Sequence, residues 1–219
     1  AIGGASHVVM DAPPPQEDVR AFVDVAARLA QAGLNAPRIV EQDAVSGFLL
    51  LSDLGTRLYL NELLSARAAN DHATIKALML DAVGALVQWQ RFGSSAGLPA
   101  YDDALLRREL ALFPDWCVQT EFGVTWTQAQ QRIWSSGCDA LVASALAQPQ
   151  VAVLRDYMPR NLMLCTPNPG ILDFQDAVVG PVSYDVASLL RDAFISWDEE
   201  AELDWAVRYW EAARRAGLP

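Results

Sequence analysis

The stretch LRDYMPRNLML, Leu154 to Leu164, with ILDF, Ile171 to Phe174, shortly after it, decides how the rest of the chain is read. Asp156 and Asn161 stand five positions apart across a proline-containing loop, and Asp173 follows the second of two short strands able to form a hairpin. Such a layout can aim all three polar ends at one point. A carboxylate beside an amide oxygen and a second carboxylate is a set of hard oxygen donors, which suits Mg2+ held jointly with substrate phosphates better than an all-protein cage.

Outward from this stretch, Val151 to Leu154 and Gly170 to Phe174 are apolar runs interrupted by turns, and helices are expected from about Ser183 to Ile195 and from Asp198 to Ala213. Upstream the chain is helical. From Asp71, a plausible N-cap, Ile75, Leu78, Met79, Ala82, Val83, Leu86 and Trp89 mark one apolar stripe. Asp102 can cap a helix carrying Leu105, Leu106, Leu110 and Phe113, and Thr127 with Gln130 has the spacing of a capping box for a helix reaching Leu146. Nearer the start the order becomes β, α, β, β. Ser6 to Met10 reads as a strand fed by a hairpin tip at Gly3-Gly4, and Val19, Phe22, Val23, Ala26, Leu29 and Ala30 give a helix closed at Gly33. Asn35 to Val40 and Gly47 to Leu51 read as two short strands. Asp53-Leu54-Gly55 breaks this pattern, so the expected class is α+β, with a small β-rich part over residues 1–54 and a larger helical part over 55–219.

Composition narrows the chemistry. The chain has 219 residues, enough to bury a substantial core without staples. Its 16 Lys and Arg against 27 Asp and Glu give a net charge of -11, which argues against nucleic acid or an anionic membrane as partner. His7 and His72 are too few and too far apart for a His-rich zinc site, so catalysis has to lean on carboxylates. Cys117, Cys138 and Cys165 lack C-x-x-C spacing, which fits a reducing cytoplasm rather than a disulfide framework. No run approaches the roughly 18 apolar residues of a membrane span, and the start lacks an export-signal pattern, so a soluble, unexported protein is expected.

Leu154-Arg155-Asp156 to Asn161, then Asp173-Phe174-Gln175, resembles the pattern H-R-D-x-x-x-x-N followed by D-F-G of phosphoryl-transfer enzymes. With Arg160 to Met163, Leu172 to Ala177 and Gly180 to Asp185, the text resembles aminoglycoside phosphotransferase-like small-molecule kinases. Within them it is most similar to the bacterial kinases of cell-wall recycling that phosphorylate N-acetylated amino sugars at the anomeric hydroxyl. VVMDAPP from Val8 and LLLSDLG from Leu49 extend the likeness to nearly the whole chain.

The resemblance implies a two-lobed protein-kinase-like fold with ATP and Mg2+ in the cleft and a small-molecule acceptor, without a phosphoenzyme. It casts Asp156 as the group that accepts the hydroxyl proton, Asn161 and Asp173 as Mg2+ ligands, and Asp185 as support for the catalytic loop. The backbone at Ser52, Asp53 and Leu54 becomes the hinge that receives adenine. Met10 stands where a phosphate-reaching lysine is expected, and Lys76 is the only lysine, which leaves an arginine from elsewhere to stand in. Leu154 replaces the pattern's histidine. The chain starts after the place of a glycine-rich phosphate-covering hairpin and stops sooner than family members do.

Plainer readings stand beside these. Asp156 can be a turn aspartate and Asp185 a helix cap; Arg155 reads as a structural ion-pair partner, Arg160 as either structural or a phosphate or substrate contact, and Asp176 as a turn former or a further metal or substrate contact. Trp116, Trp126 and Trp134 read as packing, with Trp116 beside Phe113 and Glu109 an alternative sugar-binding wall. Two other functions stay open: a kinase for an aminoglycoside or other small alcohol, and a nucleotide-binding pseudokinase, the latter motivated by the missing lysine and glycine-rich loop.

Overall fold

Phe48-Leu49-Leu50-Leu51-Ser52 alternates in a way that buries one face, with Leu49 0% and Leu51 5% exposed, and this strand becomes the centre of the small sheet. In a computed structural model that describes residues 6–15 and 17–219, β1 (His7–Asp11) and β2 (Ile39–Asp43) flank β3 (Phe48–Ser52), both antiparallel to it. The expected hairpin tip at Gly3-Gly4 lies outside the described residues. Val8 faces Leu51 and Met10 faces Leu49 across the ladder. Gly47 closes the β2–β3 turn at φ +80°, and a Cβ there would lie 2.2 Å from the Ala12 carbonyl oxygen, so only glycine fits.

The expected strand from Asn35 is corrected. Pro37 has no N–H to give a ladder, pairing starts at Ile39 with a bulge before Glu41, and Asn35 instead bridges to Gly170 in the other half of the molecule. Between β1 and β2 runs α1 (Val19–Gln31), capped by Asp18, whose side chain accepts from the Arg20 N–H at 2.9 Å. Its buried stripe is Val19, Phe22, Val25, Ala26 and Leu29, and Gly33 follows the cap residue Ala32 at φ +74°.

The helical part begins with α2 (Tyr59–Ala68), which the sequence reading passed over, and α3 (His72–Phe92), capped by Asp71. α4 (Asp103–Leu112) is capped by Asp102 and runs on into a π-helical segment over Phe113–Glu121, where the sequence reading had stopped. Pro114 removes one donor from the ordinary i to i−4 ladder at that place. α5 (Gln128–Leu146) carries the expected reciprocal Thr127–Gln130 capping box.

Four short strands then build the floor of the site. β4 (Gln150–Val153) pairs with β7 (Val178–Pro181), and β5 (Leu162–Met163) pairs with β6 (Gly170–Ile171). The helix expected from Ser183 to Ile195 is shorter. α6 (Tyr184–Leu190) ends where Arg191 leaves helical geometry and the Asp192 carboxylate turns back to accept the Phe194 N–H at 3.2 Å. α7 (Glu199–Ala216) is capped by Asp198 and closed by Gly217 at φ +79°.

One continuous apolar core joins α1, β3, α3, α6 and α7 to the segment that carries the site, through Leu29, Trp89, Leu154, Tyr157, Leu162 and Phe174, each at most 1% exposed. Burial of each such Leu or Phe is worth about 1.5–3 kcal/mol. The consequence for the site is geometric. With Leu154, Tyr157 and Leu162 pinned inward, the polar residues between them are held in fixed positions. A smaller cluster of Tyr101, Leu106, Val142, Val151, Val153 and Val178 fastens α4 and α5 onto β4 and β7. Among the described residues no helix is long and apolar enough to cross a membrane.

Candidate active site

The loop after β4 is tied down at almost every residue. The Leu154 and Arg155 N–H groups donate to the two carboxylate oxygens of Asp185 at 2.8 and 2.9 Å, and Asp185 is 0% exposed in the first turn of α6. Arg155 holds φ +76°, a left-handed conformation for a residue with a Cβ, and such a conformation persists where surrounding contacts fix it. Those contacts are present: besides its N–H bond to Asp185, its carbonyl accepts from Ser188 Oγ at 3.3 Å, and its guanidinium donates to Glu109 of α4. Tyr157 anchors the far side by donating from its hydroxyl to the Ala82 carbonyl of α3 at 2.8 Å.

Asn161 links the two halves of the pattern. Its Nδ2 donates to the Asp156 carbonyl at 3.0 Å and to Asp173 Oδ2 at 3.2 Å, while the Leu172 N–H donates to its backbone carbonyl at 2.9 Å. Asp173, exposed and at φ +56°, also accepts from Gln175 Nε2 at 2.8 Å. The structure therefore brings Asp156, Asn161 and Asp173 together at one place. Both side-chain bonds of Asn161 use the amide nitrogen, and among the described residues nothing donates to its amide oxygen. That oxygen and the Asp173 carboxylate fit a hard divalent cation completed by non-protein oxygens. Among the described residues no three of His, Cys, Asp and Glu gather into a cage of their own.

Burial and like charge act together on the carboxylates. Desolvation raises the Asp156 carboxyl above its ordinary range, the negative charge of Asp173 raises it further, Arg155 pulls it back, and Asp176 and Glu109 add smaller upward pushes. For Asp185 burial dominates and pushes the carboxyl up to about 7, against the two N–H bonds that favour its ionised form.

Two cavities are lined by members of this cluster. One, of about 170 Å³, lies between the small sheet and the β5–β6 hairpin, with Val8, Leu51, Ser52, Asp53 and Leu54 on one side and Met163, Asp173 and Phe174 on the other. The Phe174 ring packs 4.6 Å from Phe22 of α1, which couples the residue after Asp173 to the small lobe's helix. The second cavity, of about 390 Å³, is lined by Asp156 with Arg108, Glu109, Leu112, Arg155 and Tyr184. Asp173 thus faces the first space and Asp156 the second.

Other residues singled out from sequence stand as follows. Ser52 Oγ accepts the Arg38 N–H at 2.8 Å, and Asp53 accepts the Gly55 N–H at 2.8 Å, so the chain crossing between lobes is braced by its own polar groups. Met10 shares a strand face with Val8 but packs on the core. Glu109 takes hydrogen bonds from Tyr101, Tyr184 and Arg155, and Arg155 lies 3.9 Å from the exposed Asp176. Arg160 places its guanidinium 4.8 Å over the Phe194 ring and lines neither cavity.

One expectation is corrected. Trp116, expected to pack, is 65% exposed, whereas Phe113, Trp126 and Trp134 do pack as one ring cluster. Lys76 lines a separate cavity with Arg67 and His72, and among the described residues no Lys or Arg lines the cavity at Ser52–Leu54. The sequence reading also missed Arg108 and Tyr184. They reach the Asp156 cavity from α4 and α6, and no local spacing joins residues so far apart.

The family model described as "Phosphotransferase enzyme family" matches residues 2–219. A protein of Pseudomonas putida named N-acetylmuramate/N-acetylglucosamine kinase is 52% identical over 216 residues, covering 99% of this chain and 62% of that protein. Its namesakes in Pseudomonas aeruginosa and Neisseria meningitidis are 53% and 45% identical, covering 99% of this chain and 62% and 63% of theirs. The chain thus spans about 62% of the length of the first of these relatives. Among solved structures, the ADP-bound aminoglycoside phosphotransferase APH(2'')-Ib aligns with a TM-score of 0.61 at 16% identity, over 90% of this chain and 69% of that one. The choline kinase LicA from Streptococcus pneumoniae aligns with a TM-score of 0.61 at 10% identity, over 97% and 79%. These likenesses establish the two-lobed, protein-kinase-like fold.

Proposed function

Because this chain belongs to the phosphotransferase enzyme family, we propose that it transfers the γ-phosphoryl group of ATP to the anomeric hydroxyl of an N-acetylated amino sugar. The observation that supports the reading is the Asn161 side chain, which donates to the Asp156 backbone carbonyl and to the Asp173 carboxylate at once and so ties the loop of one aspartate to the other. The names of relatives about half identical over 99% of this chain support the acceptor class.

In this reading adenine enters the 170 Å³ cavity beside the Ser52 to Leu54 backbone, and the sugar enters the 390 Å³ cavity beside Asp156. Asn161, through its amide oxygen, and Asp173 would hold Mg2+, which when bound neutralises charge on the phosphate oxygens. Asp156 accepts the proton of the attacking hydroxyl. Its raised pKa brings it closer to the operating pH and makes it a better base than an exposed aspartate. Asp185 and Glu109 fix the loop around Arg155, so the reacting groups meet without rearrangement. We place the reaction in the cytoplasm, in keeping with three free cysteines.

The test is mass-spectrometric detection of a sugar 1-phosphate after incubation with ATP, Mg2+ and N-acetylmuramate or N-acetylglucosamine. Product from either sugar, lost in Asp156→Ala, is expected; its absence with both refutes the proposal. The absence of any Lys or Arg along the nucleotide-side cavity, among the described residues, favours a second reading as a nucleotide-binding module without turnover. Stabilisation by ATP and Mg2+ without product from sugars, aminoglycosides or choline-like alcohols would establish that instead.

A further inference from the structure

The cavity beside Asp156 has an unusual charge pattern. Two carboxylates, Asp156 and Glu109, and two guanidinium groups, Arg108 and Arg155, line it, and Glu109 is already engaged by Arg155 and two tyrosine hydroxyls. Its neighbour Arg108, also on the cavity-lining face of α4, is exposed and forms no ion pair or side-chain hydrogen bond among the described residues. By contrast Arg107, one residue earlier, is spent on Asp103 and Asp139 at 2.8 Å. Leu112, one turn further along α4, adds an apolar surface beside Arg108.

A neutral acceptor needs no cation in such a place. An acceptor carrying a carboxylate does, because it lies near the Asp156 carboxylate while Arg155 is already engaged by Glu109. The two sugars in the relatives' names differ in this respect: N-acetylmuramate bears a lactyl ether ending in a carboxylate, and N-acetylglucosamine has a free hydroxyl at that carbon. We propose that Arg108 is a specificity-determining residue that receives the carboxylate of an acidic amino-sugar acceptor, with Leu112 against its methyl group. This rests on the amino-sugar kinase reading given above. A planar guanidinium suits a carboxylate through two parallel N–H bonds, a geometry that lysine reproduces only in part.

The experiment compares kcat/KM for both sugars in the unaltered protein, Arg108→Ala, Arg108→Lys and Arg108→Glu, with unfolding midpoints measured alongside. Arg108→Ala is expected to lower kcat/KM for N-acetylmuramate at least about tenfold more than for N-acetylglucosamine, chiefly through KM. Arg108→Lys should recover part of that difference, and Arg108→Glu should enlarge it. Equal losses with the two sugars, or no change in their ratio, would overturn the assignment of Arg108 while leaving the kinase reading standing. If the unaltered protein phosphorylates neither sugar, the reading beneath falls first, and the proposal falls with it.

Discussion

Replacing Asp185 by asparagine changes one oxygen to an amide nitrogen at a site where two backbone N–H groups point at the carboxylate. The amide oxygen can keep one of those bonds, but its NH2 faces the other N–H donor to donor. One buried N–H is left unpaired, a cost of about 1–3 kcal/mol. The pH dependence adds a sharper signature. Burial pushes the Asp185 carboxyl up to about 7 from a usual 3.8, so between those values the folded protein holds a proton that the unfolded chain has released. The protonated group's contribution is therefore present at low pH and fades as pH rises towards 7, whereas the asparagine variant has no such group. From about pH 5 to the folded value lie roughly two pH units at about 1.4 kcal/mol each, so the stability gap between the two proteins should narrow by about 2–3 kcal/mol between pH 5 and pH 8. Urea unfolding at both pH values measures the gap directly. A gap that stays constant, or widens towards pH 8, would refute the claim that burial controls this carboxyl.

Asp156→Asn should retain the fold while lowering kcat roughly 100- to 10,000-fold, read from steady-state rates beside an unfolding midpoint. For the unaltered protein, the raised Asp156 pKa predicts that kcat/KM falls with acidification at a pH above the ordinary aspartate range; a limb at the usual aspartate value would contradict it. Gly170→Ala would set a Cβ 2.8 Å from both Cys165 Sγ and Leu54 Cδ1, so it should cost about 1–3 kcal/mol in unfolding experiments. Because Leu54 lines the cavity proposed to receive adenine, the same variant should raise the KM for ATP, and an unchanged KM would argue against adenine at that hinge.

Much of the fold was legible because its boundaries are written in side chains. Asp71, Asp102, Thr127 with Gln130, and Asp198 each accept a backbone N–H at the start of a helix, and each helix begins there. α2 went unread because its first turn follows Leu58, which offers no cap, although Tyr59, Leu63 and Ala66 do bury one face. The strand expected at Asn35 failed because that residue's partners are distant: its side chain donates to the Pro167 carbonyl and its own carbonyl accepts from Ile171. Asp156, Asn161 and Asp173 were visible as a group because they lie within one hairpin and the loop before it. The wall of the Asp156 cavity was not, since Glu109, Tyr184 and Arg155 meet there across 46 to 75 positions of chain. Such a surface exists only after α4 and α6 have packed.

The account depends most on Asn161 and Asp173 sharing one divalent cation with the nucleotide's phosphates. Mn2+ affinity, followed by electron paramagnetic resonance in the presence of a non-hydrolysable ATP analogue, tests this without needing turnover. Asn161→Ala and Asp173→Asn should each weaken the bound ion at least about tenfold, a loss in keeping with removing one ligand from a shared site. Affinity equal to that of the unaltered protein in both variants would contradict the assignment.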